Sequence, residues 1–162
     1  MSDTSPLTGY HFRVDFGVPG LFTKDIGFKS VSGVNFGMKL KDVKVGGVDG
    51  GTVKVPDGYE VGDLVLERGM ITGSMLINWL ETQILTQKKI PIPIIVTTLD
   101  ANDLPIYSWF FINAFPIKWD TSGFDADKGG LLIEKITFKY LFYKQVNMTY
   151  LSALYSAAMS AL

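Results

Sequence analysis

Cysteine is absent from this 162-residue chain, and His11 is its single histidine. Without thiols there are no disulfides and no thiolate metal sites. Without a second histidine, the common zinc sites and nucleophile–histidine pairs cannot be built within one chain. Charge is scarce too: Asp, Glu, Lys and Arg make up 19% of residues, and the formal net charge is -1. A general nucleic-acid binder carries a basic excess that is missing here. Pro91, Pro93, Asn113 and Pro116 break the apolar stretches well short of a membrane span. Residues 1–6 (MSDTSP) lack the basic-then-apolar order of a signal peptide, so the expectation is a protein made and folded in the cytoplasm.

The remaining candidates for chemistry are poor. His11 falls on the polar face of a strand, an exposed or interface position. Asp100, Asp103, Asp120, Asp125 and Asp127 fall in turn-like segments, where aspartate commonly bonds its own backbone. Two of them acting as acid and base is the alternative. Asp125-Ala126-Asp127 resembles a fragment of a calcium loop but has no glutamate at the closing position. Gly46-Gly47 and Gly129-Gly130 lack the strand-to-helix setting and the lysine of a phosphate loop. The expectation is no catalytic residue, no metal and no cofactor.

Apolar residues are plentiful. Hydrophobic residues are 47% and aromatics 13% of the chain, which is rich for a soluble monomer. One domain of this size buries a core without staples, and that core absorbs part of the load. The other outlet is burial against further subunits. The 17 glycines gather toward the first half, which favours strand turns over a helical bundle.

The most organised stretch runs from Leu64 to Thr86. Leu64-Val65-Leu66 reads as a short apolar strand with a polar exit. Glu67 and Arg68 are adjacent, so an extended chain points them to opposite faces. They are poor partners for each other and good partners for other elements or other chains. Gly69 permits a turn. Ser74 then caps a helix whose Leu76, Trp79, Leu80 and Ile84 share one stripe, with Lys88 and Lys89 at the favourable end of the helix dipole. The stretch either closes a core and nothing more, or makes contacts beyond it.

Around this stretch the pattern is β. Tyr10, Phe12, Val14 and Phe16 alternate with polar residues, and a turn follows at 17–20. A second strand begins near Phe28, with Val34, Phe36, Met38 and Leu40 on one face and Asn35, Lys39 and Lys41 on the other. Residues 42–62 read as a glycine-rich loop with a short strand at 52–55. It is either a surface loop or an arm that orders against a neighbour. A hairpin of 90–99 and 106–115, turned at 100–103, is apolar on both faces, so the helix or another chain must cover one of them. Pro116 ends its second arm and a loop spans 119–130. A long strand at 131–143 sets Ile136, Phe138, Tyr140 and Phe142 against Lys135, Thr137 and Lys139. A helix at 149–162 docks on its own domain or on a neighbour.

The fold class expected is mainly β (β+α): an antiparallel β-barrel or sandwich of six to seven strands, one flanking helix and a short C-terminal helix. Residues 1–8 are an N-terminal arm, 9–146 the barrel domain with an assembly loop at 42–62, and 147–162 the tail helix.

Several segments, taken in order, resemble the inner tube proteins of contractile phage tails and of phage-tail-like extracellular injection particles. They are Tyr10-His11-Phe12-Arg13-Val14, Val31-Ser32-Gly33-Val34, the glycine-rich arm, Leu66-Glu67-Arg68-Gly69, the helix with Trp79, and Asn113-Ala114-Phe115-Pro116-Ile117-Lys118-Trp119. The resemblance spans residues 8–146 and leaves the tail helix without a counterpart. It implies a homo-oligomer: six-membered rings of β-barrel subunits, stacked into a tube whose lumen passes effector cargo or phage DNA. Sheath, baseplate or hub and tail-terminator proteins are the implied partners, with no sequence-specific nucleic-acid binding. Sheath contraction would drive the tube through a target envelope. The particle would be assembled in the cytoplasm and end as part of a phage tail or a released tail-like particle. Glu67, Arg68, Gly69, Val53, Val55, Tyr59, Trp109 and Phe111 are the implied assembly residues, with Glu67 and Arg68 in inter-subunit ion pairs. Lys39, Lys41, Lys135 and Lys139 are the implied lumen-facing residues. Two other readings stand beside this one: a monomeric β-barrel binding a small apolar ligand, and a type VI secretion tube protein.

Overall fold

The structure, a computed structural model, describes residues 9, 11–18, 22, 27–47 and 50–161. The expected arm at 1–8, Tyr10, part of the turn at 17–20 and Leu162 lie outside the described residues. The elements are β1 (Phe12–Phe16), β2 (Ser30–Ser32), β3 (Phe36–Lys44), β4 (Thr52–Val61), β5 (Leu64–Gly69), α1 (Met75–Thr86), β6 (Ile92–Leu99), β7 (Pro105–Thr121), β8 (Ile133–Lys139), β9 (Phe142–Asn147) and α2 (Met148–Ser160). Seven strands form an antiparallel sheet in the order β1-β6-β7-β8-β5-β2, with β9 also on β7, while β3 and β4 form a separate hairpin. The mainly β architecture expected from the sequence is the one the chain adopts.

Period-two alternation builds the core. Val14 and Phe16, Leu64 and Leu66, Ile94 and Val96, Phe111, and Ile136 and Phe138 all point into one cluster. Phe16 meets the rings of Phe22, Phe28 and Phe138 with centroids 5.6, 6.1 and 6.2 Å away. Burying each such side chain contributes about 1.5–3 kcal/mol. Helix α1 closes the cluster with Leu76 and Leu80. Its third buried residue is Gln83, where the sequence pattern favoured Ile84. Gln83 Oε1 accepts the Ile90 N–H at 3.0 Å, just beyond a left-handed cap at Gln87, so a polar side chain is needed on that turn.

Three long strands read from the sequence are bent or divided. The expected strand from Phe28 to Leu40 divides at Gly33, whose φ is +85° and where a Cβ would sit 1.6 Å from the Asp63 carbonyl oxygen. β2 therefore stays in the sheet while β3 leaves it. The Tyr140 hydroxyl clasps this crossing, with the Gly33 and Asn35 carbonyls at 2.9 and 3.2 Å. Burial pushes the Tyr140 phenol pKa up, which keeps the donor proton in place. The strand expected at 131–143 is cut at Tyr140–Leu141 into β8 and β9, opposite Asn113 with φ +54°. Conversely, β7 does not stop at Phe115. It continues to Thr121 through a register shift between Pro116 and Lys118, an irregularity that accommodates proline. Trp119 and Asp120, expected in a loop, are thus strand residues.

One further expectation is corrected. Residues 42–62 are not a loop: β3 and β4 pair from Phe36↔Val61 to Lys44↔Thr52, and Gly58 at φ +89° lies where the register shifts. Helix α2 follows β9 beside β7 and buries none of its side chains, so its apolar residues stay exposed.

Gly33→Ala should lower the unfolding free energy by at least about 2 kcal/mol, because it combines forced positive φ with a backbone clash. Gly129→Ala, with open space around it, should stay within about 0.5 kcal/mol of the parent. Denaturant unfolding of both variants checks this.

Candidate assembly interface

The turn from β5 into α1 is fixed by Arg68, whose side chain is 2% exposed. Its Nε donates to Glu134 Oε1 on β8, and its Nη2 donates to Ser74 Oγ at 2.8 Å. Ser74 Oγ also accepts the Ile77 N–H at 3.2 Å, so one hydroxyl caps α1 and holds the arginine. Trp119 Nε1 donates to Glu134 Oε2 at 3.2 Å, and the guanidinium lies 5.1 Å from the Phe28 ring centroid. Charge buried this deeply persists only with such partners. The arrangement ties β5, β8, β7 and α1 together.

Glu67 points the other way. Its carboxylate meets Lys135 Nζ at 3.0 Å and the Ser30 hydroxyl at 3.1 Å. The Lys135 hydrogen bond, then the Ser30 bond, hold the Glu67 carboxyl below the usual carboxylate range. Its stabilising effect is therefore complete above the ordinary carboxylate pKa and is lost as pH falls through the folded value. Lys139 pairs with Asp63 at 2.6 Å, and Lys118 with Asp120 at 3.4 Å. The outer face of β5, β8 and the second half of β7 is thus a strip of matched charges.

The opposite faces expected for Glu67 and Arg68 are what the structure shows, but both side chains spend their charge inside the chain. Arg68 is too deeply buried for the inter-subunit ion pair implied above. Phe111 is also corrected: at 0% exposure it belongs to the core, where its ring packs 4.9 Å from Tyr140. Trp109 is half-buried against Tyr107, with centroids 5.0 Å apart. Gly69 is a strand residue paired with Ile133, and the turn falls further on, where Gly73 has φ +75°.

The large unpartnered surface is the β3–β4 hairpin. Phe36, Met38, Leu40 and Tyr59 are exposed near its root, and Val43, Val45 and Val53 toward its tip. Pairing puts Met38 beside Tyr59 and Val43 beside Val53, so root and tip present apolar patches on opposite faces. Val55 is half-buried and shares the Val53 face, opposite Lys41 in the register. Lys39 lies on that same face, and Lys41 pairs with Asp57 at 3.4 Å. The root touches the rest of the fold: Phe36 packs on Tyr143 at 5.7 Å, and the Tyr59 hydroxyl donates to the Leu141 carbonyl at 3.4 Å. Sequence reasoning missed Glu134 and the β3 half of this surface. Alternation in Phe36, Met38 and Leu40 was visible; its lack of any cover was not.

Removing one member of the buried pair, as in Arg68→Met or Glu134→Leu, should cost about 3–5 kcal/mol, and the double substitution should recover most of it. Chemical unfolding of the three variants checks this. Lys135→Met should move the Glu67 pKa back up toward the ordinary range, read by NMR titration of the carboxyl resonance.

Residues 8–142 match the family model described as T4-like virus tail tube protein gp19. No curated protein sequence matches. Among solved structures, a chain of the anti-feeding prophage baseplate superposes with a TM-score of 0.75 at 22% identity, covering 89% of this chain and 97% of that one. A chain of the sheath–tube complex of an extracellular contractile injection system, PVC, gives 0.74 at 20% identity, covering 90% and 94%. Hcp1 from Flavobacterium johnsoniae gives 0.50 at 14% identity, covering 85% and 96%. These likenesses share the fold, and the family match spans most of the sequence: the chain belongs to the T4-like virus tail tube protein family.

Proposed function

We propose that this chain is the structural subunit of the inner tube of a contractile injection system, and that identical copies close into stacked, six-membered rings around a lumen. The observation that carries the reading is the β3–β4 hairpin, an apolar element that the single chain leaves uncovered on both faces. A contiguous exposed apolar surface of this kind marks an interaction site. A neighbouring copy supplies the cover, and Val53, Val55 and Tyr59 make the contact with it. Among the described residues, edge strands β1, β2 and β9 pair on one side only, and ring closure would satisfy their free edges.

The matched-charge strip is the candidate lumen wall. Lys135 and Lys139 stand on it beside Glu67 and Asp63, so cargo or DNA would meet a polar surface with little net charge. Lys39 and Lys41 belong to the hairpin and would line the lumen only near its foot. Glu67 would act at an assembly contact through the outer edge of this strip. Sheath, baseplate and terminator proteins are the expected partners, and the assembled tube belongs to a tail or a released particle.

Phe16, Phe111, Ile136 and Phe138 pack against one another in the core, which supports the tube reading over a barrel with an internal ligand cavity. The type VI reading is favoured less, because the Hcp1 superposition is looser than those with the anti-feeding prophage and PVC chains.

Purified protein should form rings or tubes in negative-stain electron micrographs. Met38→Asp and Val53→Asp should each raise the concentration needed for assembly at least tenfold, about 1.4 kcal/mol. Unfolding of the dilute chain should shift by no more than about 0.5 kcal/mol. A strictly monomeric parent at high concentration with baseplate partners present would contradict the proposal.

A further inference from the structure

Helix α2 lies beyond the family match, which ends at residue 142. From Met148 to Leu162 the chain has no charged residue, although 19% of the whole sequence is charged. Thr149, Ser152, Ser156 and Ser160 recur on one side of the helix, while Leu151, Leu154, Tyr155 and Ala158 form the other. Leu151, Leu154 and Tyr155 are 45%, 50% and 68% exposed. An apolar helix face contributes to stability only when it is taken out of water, and this one is left in water by its own chain.

A second unfilled surface lies elsewhere on the chain. Ile77, Ile84 and Leu85 of α1, with Ile117 and Trp119 of β7, line a groove of about 470 Å³ whose rim carries Glu81 and Lys118. Ile77, Glu81, Ile84 and Leu85 follow helical spacing, so the groove runs along α1 and suits a helix. No residue of α2 lines it.

The two surfaces sit at opposite ends of β7. α2 starts directly after Asn147, which pairs with Tyr107, whereas the groove includes Ile117 to Trp119. An extended strand rises about 3.4 Å per residue, which puts about 37 Å of strand between Tyr107 and Lys118. α2 has 13 residues and, at 1.5 Å each, a length of about 20 Å. It begins at the other end of β7, and none of its residues reaches the groove of its own chain. Donor helix and acceptor groove at opposite ends of one chain is the geometry of a head-to-tail contact between copies.

We propose that α2 of one copy seats its apolar face in the α1–β7 groove of the next. The inference rests on the self-assembling reading above and adds to it a helix-in-groove contact separate from the hairpin. The absence of charge on α2 means that no ion is stranded when the groove closes over it, and its serine face stays toward water.

The test uses the full chain, which has no native cysteine. Leu154→Cys protein is mixed with Ile84→Cys protein under assembly conditions and oxidised, and Leu151→Cys with Ile117→Cys serves as a second pair. The expected result is a disulfide-linked dimer in each mixture, at least fivefold above either protein alone, and a ladder of multimers from the Leu154→Cys/Ile84→Cys double variant. A cross-link closed within one chain, α2–α2 dimers from Leu154→Cys alone at equal yield, or no cross-link in either pair would overturn the proposal. Micrographs of the unmodified chain separate the two failures. Rings without cross-links sink this contact and leave the tube reading standing, whereas no rings sink the tube reading itself.

Discussion

Arg68 fixes the architecture because it is a charge with nowhere else to go. Its guanidinium is held by Glu134 and Ser74 in the interior, between the sheet and α1. The partners are not interchangeable in role. Glu134 neutralises, Ser74 joins the arginine to the helix cap, and Trp119 takes the second carboxylate oxygen. A buried pair of this kind adds little net stability compared with a well-packed apolar replacement. What it does is penalise every arrangement in which β5, β8 and α1 are out of register. The barrel wall is therefore set to a single geometry, which a subunit meant to repeat would require.

From this fixed wall the chain sends out two elements that its own core cannot use. The β3–β4 hairpin leaves through the Gly33 crossing, clasped by Tyr140, and α2 leaves at the end of β9. Both carry apolar residues into solvent. The wall itself does the reverse, since Glu67, Asp63, Asp120, Lys135, Lys139 and Lys118 satisfy one another across its outer face. The protruding elements are apolar and the surface between them is charge-paired, which is the division of labour that the proposed tube subunit needs.

The sequence showed elements whose cause is local. The alternation of β1, the Ser74 cap, the α1 stripe at Leu76 and Leu80, and the turn at Asp100–Asp103 all follow from spacing and capping within a few residues. Asp100 Oδ1 accepts the Asn102 and Leu104 N–H groups, as a turn aspartate should. What stayed hidden depends on distant partners. Glu134 lies 66 residues from Arg68, so no local pattern links them. The division at Gly33 requires the Asp63 carbonyl. The hairpin at 42–62 looked like a loop because a strand with no core face loses the alternation that marks it, and glycines at its turn and bulge completed the disguise. The inward faces of Phe111 and Arg68 are hidden for a similar reason: side-chain type is visible in the sequence, and the face it takes in the folded sheet is not.

If another copy covers the hairpin, assembly should change the hairpin far more than the charge-paired strands β5 and β8, each of which is already paired on both sides or held by the Arg68–Glu134 contact. Amide hydrogen exchange, compared between dilute chain and assembled material, tests it most directly. Backbone amides of residues 36–61 should gain strong protection on assembly while those of β5 and β8 change little. Equal exchange of the hairpin in both states, with protection appearing only in the wall, would contradict it.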